Sequence, residues 1–214
     1  MELEVVPYPG LALAALSIEL SDALGDTPSP PWLQQALRPD APAPVAGSEA
    51  LRTAVRDLLR VHGYRPTGRG KPSSEYLVGA AADGRLGTIN PLVDCGNAAS
   101  LHSGLPISVV DLDRCRGALR VLVPPAGAAY VFNRSGQTID VGGLLSLADD
   151  EGPCANAVKD AQRTKTDATT RRVLAVVWGT AAPVAEHAGR TAAWLGELFA
   201  QLGAVVRGVA VEVT

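Results

Sequence analysis

The sequence predicts a mixed α/β fold of the α+β kind, and three observations predict it. Glycine and proline, 22 and 16 of 214 residues, punctuate the whole chain and break it into many short elements rather than a long helical bundle. Helical periodicity comes in separate stretches, the clearest at Leu51, Val55, Leu58 and Leu59. Between these stretches lie apolar runs of strand length. The run over 173–178 is nearly unbroken, so it reads as a central strand buried on both faces.

Taken in order, residues 3–6 and 11–20 are two strands parted by a Pro-Gly break at 7–10. Ser29-Pro30-Pro31-Trp32 opens a short helix, with Ser29 as its cap and Pro30 at the first helical position, where its missing donor costs nothing. A surface connection over 38–47 leads to the periodic helix from Ser48, which Gly63 stops. A basic loop over 64–71 carries Arg65, Arg69 and Lys71, and Pro72-Ser73-Ser74 starts another helix. Asn90 caps the next helix, Pro91 is its first residue, Gly104 supplies the left-handed end and Pro106 forbids continuation. Strands follow over 107–112, 118–123, 128–132 and 138–141. After the central strand, Pro183 opens a last helix with a Trp194, Leu198, Leu202 stripe, and 205–213 closes the chain as one strand.

Charge and cysteine usage bound the function. Nineteen bases against 22 acids give −3, which excludes a surface that is basic throughout but permits a local basic patch. With 47% hydrophobic residues, the chain is expected to be ordered over most of its length. Cys95, Cys115 and Cys154 are odd in number and form no CxxC, so a disulfide framework or structural zinc is not expected, and a reducing cytoplasm is. The acidic Met1-Glu2-Leu3-Glu4 start is unlike a secretory signal. The apolar run over 11–18 is about half a bilayer span, so no membrane segment is expected. One domain over 1–214 is the expectation.

Most catalytic signatures are missing. No GxSxG elbow, HxxxH spacing or phosphate loop occurs, and His62, His102 and His187 stand alone. Neither metal nor cofactor is expected. Two polar constellations remain. Asn90, Asp94 and Asn97 recur along one face of the Pro91 helix, where such groups either satisfy backbone or line a pocket. The segment 160–172 holds four bases and four hydroxyls, among them Arg163, Lys165, Thr166, Thr169, Arg171 and Arg172. It is either a solvated connector or a loop for phosphate or carboxylate.

The block over 89–113, INPLVDCGNAASLHSGLPISVVDLD, resembles the B3/B4 domain of the β subunit of bacterial phenylalanyl-tRNA synthetase. Ile89, Asn90, Val93, Asp94, Asn97, Leu101, Gly104, Pro106, Asp111 and Asp113 fall at the matching places. Ser29-Pro30-Pro31-Trp32-Leu33 and Thr170-Arg171-Arg172-Val173-Leu174 resemble flanking family motifs, so the likeness covers about 29–178. Residues 1–28 and 179–214 then extend the same domain. Nothing resembles the synthetase's catalytic core or ATP site. The resemblance implies strands curled around a pocket with helices packed outside. It also implies a free-standing relative of a domain that, in the synthetase, removes tyrosine wrongly attached to tRNA.

Three departures stand out. Where the family's pocket has a histidine this chain has Ser108; for an arginine it has Gly87 or Thr88; for a glutamate it has Val176. The resemblance implies a tRNA or aminoacyl-tRNA partner, and any reaction would be deacylation of an aminoacyl ester. The alternative is a non-catalytic pocket for a free amino acid or similar small metabolite. Candidate pocket residues are Asn90, Asp94, Asn97, Ser108, Thr166 and Thr169. Candidate RNA contacts are Arg65, Arg69, Lys71, Arg163, Lys165, Arg171 and Arg172.

Overall fold

The computed structural model describes all residues from 1 to 214. The chain begins with β1 (Glu2–Val5) and β2 (Leu11–Glu19), then α1 (Pro31–Ala36), α2 (Glu49–Arg60), α3 (Ser73–Ala82) and α4 (Pro91–Ser103). A run of strands follows: β3 (Ile107–Asp111), β4 (Arg120–Leu122), β5 (Ala129–Val131), β6 (Thr138–Asp140), β7 (Ser146–Asp149) and β8 (Gly152–Asn156). The long β9 (Arg172–Thr180), α5 (His187–Gln201), β10 (Val205–Gly208) and β11 (Ala210–Val213) complete it. No helix is long and apolar enough to cross a membrane.

Two open sheets face each other. One runs β10-β2-β9-β3, antiparallel throughout, and the other β11-β1-β4-β7-β8, while β5 and β6 form a separate hairpin. Strand β9 lies between two buried clusters, and its period-2 alternation divides it between them. Val173, Ala175 and Val177 pack under the helices, with Leu195 and Phe199 of α5 and Leu92 and Ala98 of α4. Leu174, Val176 and Trp178 pack against Leu3, Val121 and Leu147 of the second sheet. Helix α2 covers one end of both clusters, giving Leu51 and Val55 to the first and Leu58 and Leu59 to the second. The mixed α/β expectation is met, with the helices outside.

Caps set the ends of α2 and α4 as the sequence indicates, whereas α1 starts at Pro31 with Pro30 before it and no side-chain cap, because the Ser29 hydroxyl donates to Asp94 instead. Ser48 Oγ accepts from Leu51 N–H at 3.1 Å, Asn90 Oδ1 accepts from Val93 N–H at 3.0 Å, and Gly104 takes φ 75°. Three further expectations differ. The last helix starts at His187 rather than at Pro183, after a stretch of bends and turns. The closing segment is two strands, because the chain changes sheets at Val209: β10 pairs with β2 and β11 with β1. Val209 N–H donates to Ala15 O at 3.0 Å across this crossing. The β7–β8 hairpin is invisible to alternation because Gly152 and Pro153 read as loop and its register is broken at Leu147/Ala148.

Close approach of β9 to its neighbours fixes one position tightly. A Cβ on Gly179 would lie 2.5 Å from both Ala12 O in β2 and Ala188 Cβ in α5. Gly179→Ala is therefore expected to lower the free energy of unfolding by about 2–3 kcal/mol in urea titration. Gly189→Ala, where nothing lies within 4 Å, is expected to raise it by roughly 0.5–1 kcal/mol through helix propensity.

Candidate functional site

A cavity of about 420 Å³ opens beside the edge strand β3, walled by α3, α4 and the connection from β8 to β9. Its apolar wall includes Leu77 of α3, Val93 of α4 and Ile107 and Val109 of β3. Asn97, Asp160, Lys165 and Thr166 supply its polar groups. A second cavity of about 660 Å³ adjoins it and shares Ser73, Tyr76, Val158, Lys159, Asp160 and Lys165, so the two form one cleft. Arg69, Lys71 and Gln137 line the outer part.

Asp160 stands where the two parts meet, and a chain of donors holds it. Trp178 Nε1–H donates to Ser108 Oγ at 3.0 Å, and Ser108 Oγ–H donates to Asp160 Oδ1 at 2.7 Å. The Asn156 N–H reaches the same oxygen at 3.3 Å. Burial nevertheless outweighs these bonds and pushes the carboxyl up to about 6. Asn156 orders the loop beneath it, accepting from Val158 and Lys159 N–H at 2.8 and 3.0 Å while its amide donates to Tyr130 Oη.

The lysines are placed with equal economy. Lys165 Nζ donates to Phe132 O at 2.6 Å, and Lys159 Nζ sits 4.2 Å above the Phe132 ring. Burial lowers the pKa of both, and Arg69 and Lys165 lower that of Lys159 further.

The structure gathers some of the residues singled out from sequence and separates others. Asn97 and Thr166 line the inner cavity, and Asn90 sits behind Thr166, donating Nδ2–H to its Oγ1 at 3.0 Å. Ser108 is buried beneath Asp160 rather than exposed in the cleft. Asp94 is buried among α4's neighbours, accepting from Ser29 Oγ at 2.5 Å and Ile89 N–H at 3.0 Å, with its pKa raised chiefly by burial. Thr169 is exposed and bonds Asp167 at 2.6 Å, away from the cleft.

The bases divide likewise. Arg69, Lys71 and Lys165 border the cleft, and Arg65 is exposed in the same loop. Arg163 is turned inward onto Asp149, with bonds of 2.8 and 2.6 Å, and also donates to Gly152 O. Arg171 and Arg172 border a separate groove, with Arg171 on Ser21 O and Arg172 paired with Asp113. Sequence reasoning missed Asp160, Lys159 and the Trp178 indole. The one available signal was a charged pair, Lys159-Asp160, between apolar Val158 and Ala161.

A family model described as the B3/4 domain matches residues 65–193. The crystal structure of an N-terminal fragment of the phenylalanyl-tRNA synthetase beta-subunit from Pyrococcus horikoshii superposes with a TM-score of 0.55 at 10% identity. That alignment covers 100% of this chain and 52% of the other, so the chain spans about half the length of its structural relative. At this identity the likeness is one of fold. No curated protein sequence matches the chain.

Two substitutions separate structural from cleft carboxylates. Asp94→Ala leaves the buried Ser29 hydroxyl without its partner and removes the acceptor of the Ile89 N–H, and it is expected to cost about 2–3 kcal/mol in chemical denaturation. Asp160 goes the other way. Its folded-state value of about 6 exceeds the ordinary 3.8, so the native state binds the proton more tightly. Its burial therefore destabilises progressively as pH rises from about 4 to about 6, and fully above that. Asp160→Asn is expected to raise the thermal unfolding midpoint at neutral pH and leave it nearly unchanged near pH 4, as followed by circular dichroism.

Proposed function

The chain belongs to the B3/4 domain family, and from that premise we propose that it binds tRNA, with the aminoacylated 3′ end in the cleft between α3, α4 and β3. One observation carries the reading. The chain has only three lysines, Lys71, Lys159 and Lys165, and all three border the outer cavity together with Arg69. None of the three makes an ion pair, although eleven of the arginines do. Cations gathered without carboxylate partners suit a phosphate backbone. The adjoining apolar cavity has room for an amino-acid side chain. No hydrolytic step is assigned, because Ser108 is buried and its proton is committed to Asp160.

A second reading, a binding protein for a free amino acid, is favoured by the inner cavity alone, where an apolar wall meets one carboxylate. Thermal-shift screening against amino acids separates the two, since a ligand that binds only the native state raises apparent stability.

For the tRNA reading, filter binding should show retention that weakens with salt. Each of Lys71→Ala, Lys159→Ala and Lys165→Ala is expected to reduce the slope of log affinity against log salt by up to about 0.9. The double change Arg171→Ala and Arg172→Ala is expected to leave binding unchanged. Absence of retention at low salt contradicts the reading.

A further inference from the structure

Asp160 is a half-buried carboxylate with no ion-pair partner, standing between an apolar cavity and a cationic one. The protein orients it with care. Trp178 fills an acceptor site of the Ser108 hydroxyl, so the Ser108 proton is aimed outward, where Asp160 Oδ1 at 2.7 Å is a nearer and better acceptor than Asn156 O at 3.2 Å. Trp178 belongs to β9 and Ser108 to β3, so the anchor runs from the carboxylate into the centre of the fold. Such wiring fixes the carboxylate at one place on the cavity wall.

What the wiring lacks is a cation. Lys165 acts on Asp160 only through space, because its ammonium is bonded to Phe132 O. The hydrogen bonds do not repay the cost of desolvation, which is why the acid is weakened to a pKa of about 6. A ligand ammonium at the cleft junction would supply the missing charge. From that point an apolar group can enter the cavity formed by Val93, Ile107 and Val109, and an anionic group can lie toward Lys71 and Lys159.

We propose that Asp160 is the ammonium anchor of the cleft, binding the α-ammonium of an aminoacyl group whose apolar side chain fills the inner cavity. This rests on the cleft being an aminoacyl site, as proposed above, but not on tRNA being the carrier. The ligand class is an apolar α-aminoacyl group with a free amine, linked to an anionic partner. Amines blocked by acylation are excluded, because they offer no charge to the carboxylate.

The test uses puromycin, a stable aminoacyl-nucleoside amide with a free α-ammonium and an apolar aromatic side chain, and its deamino analogue, with hydrogen in place of the amine. Calorimetric titration of the wild-type protein near pH 6.5 keeps the carboxyl largely ionised and the amine largely protonated. The deamino analogue is expected to bind about 10- to 100-fold more weakly than puromycin, the loss appropriate to one charged hydrogen bond. Asp160→Asn is expected to bind both compounds equally and weakly. Equal affinities in the wild type, or discrimination that persists in Asp160→Asn, would overturn the proposal. So would the absence of any puromycin binding, and the wild-type comparison decides the matter even if the variant does not fold. Retention of tRNA is measured on the same preparations. If tRNA binds but the amine is ignored, the anchor alone fails; if the amine is read but tRNA is not retained, the tRNA reading alone fails.

Discussion

Strand β9 has no face turned to solvent, and this two-sided burial governs the arrangement around it. From Val173 to Thr180 every residue is buried. A strand of that kind needs apolar cover on both sides, which the helices give on one face and the five-stranded sheet on the other. Its neighbour β3 is then an edge strand, paired with β9 on one side only. An exposed edge must be paired or covered. Here α3, the middle of α4 and the connection leading to β9 lie beside it, and they leave the cleft between them.

That placement couples the cleft to the core. Trp178 is buried near the C-terminal end of β9, and its indole hydrogen reaches Ser108 and through it the cavity carboxylate. A buried indole N–H needs a partner, and here the partner passes its own proton on to the site. The same connection carries Lys159 and Lys165, braced by Phe132 of the β5–β6 hairpin. Carboxylate and lysines are thus held by different supports. Asp160 is tied to the sheet through Ser108, and Lys159 and Lys165 to the hairpin through Phe132.

Legibility in the sequence followed the range of the forces involved. Helix α4 was readable because Asn90, Pro91 and Gly104 act within a turn of where they stand, and β9 because its apolar run is continuous. The sheet change at Val209 was not, since it depends on β1 and β2 lying in different sheets some two hundred residues earlier. In the cleft, Asn97 and Thr166 were readable from helix face and loop polarity. Asp94 was misleading company for them: 10 of the 13 residues of α4 are buried, so sharing a face did not mean sharing a cavity. The basic segment over 160–172 looked uniform, yet Asp149 drew Arg163 inward and Asp113 held Arg172 at another groove. Neither acidic partner is near in sequence.

The central claim is that the cleft beside β3, with its three lysines and one anchored carboxylate, is where this chain meets its ligand. The most direct measurement is a titration of the 15N-labelled protein with an RNA hairpin ending in CCA, followed by amide chemical shifts. The account predicts perturbations concentrated at residues 69–71, 93–97, 107–109 and 156–166. Shifts centred instead on Arg171, Arg172 and Asp113, or none at low salt, would contradict it.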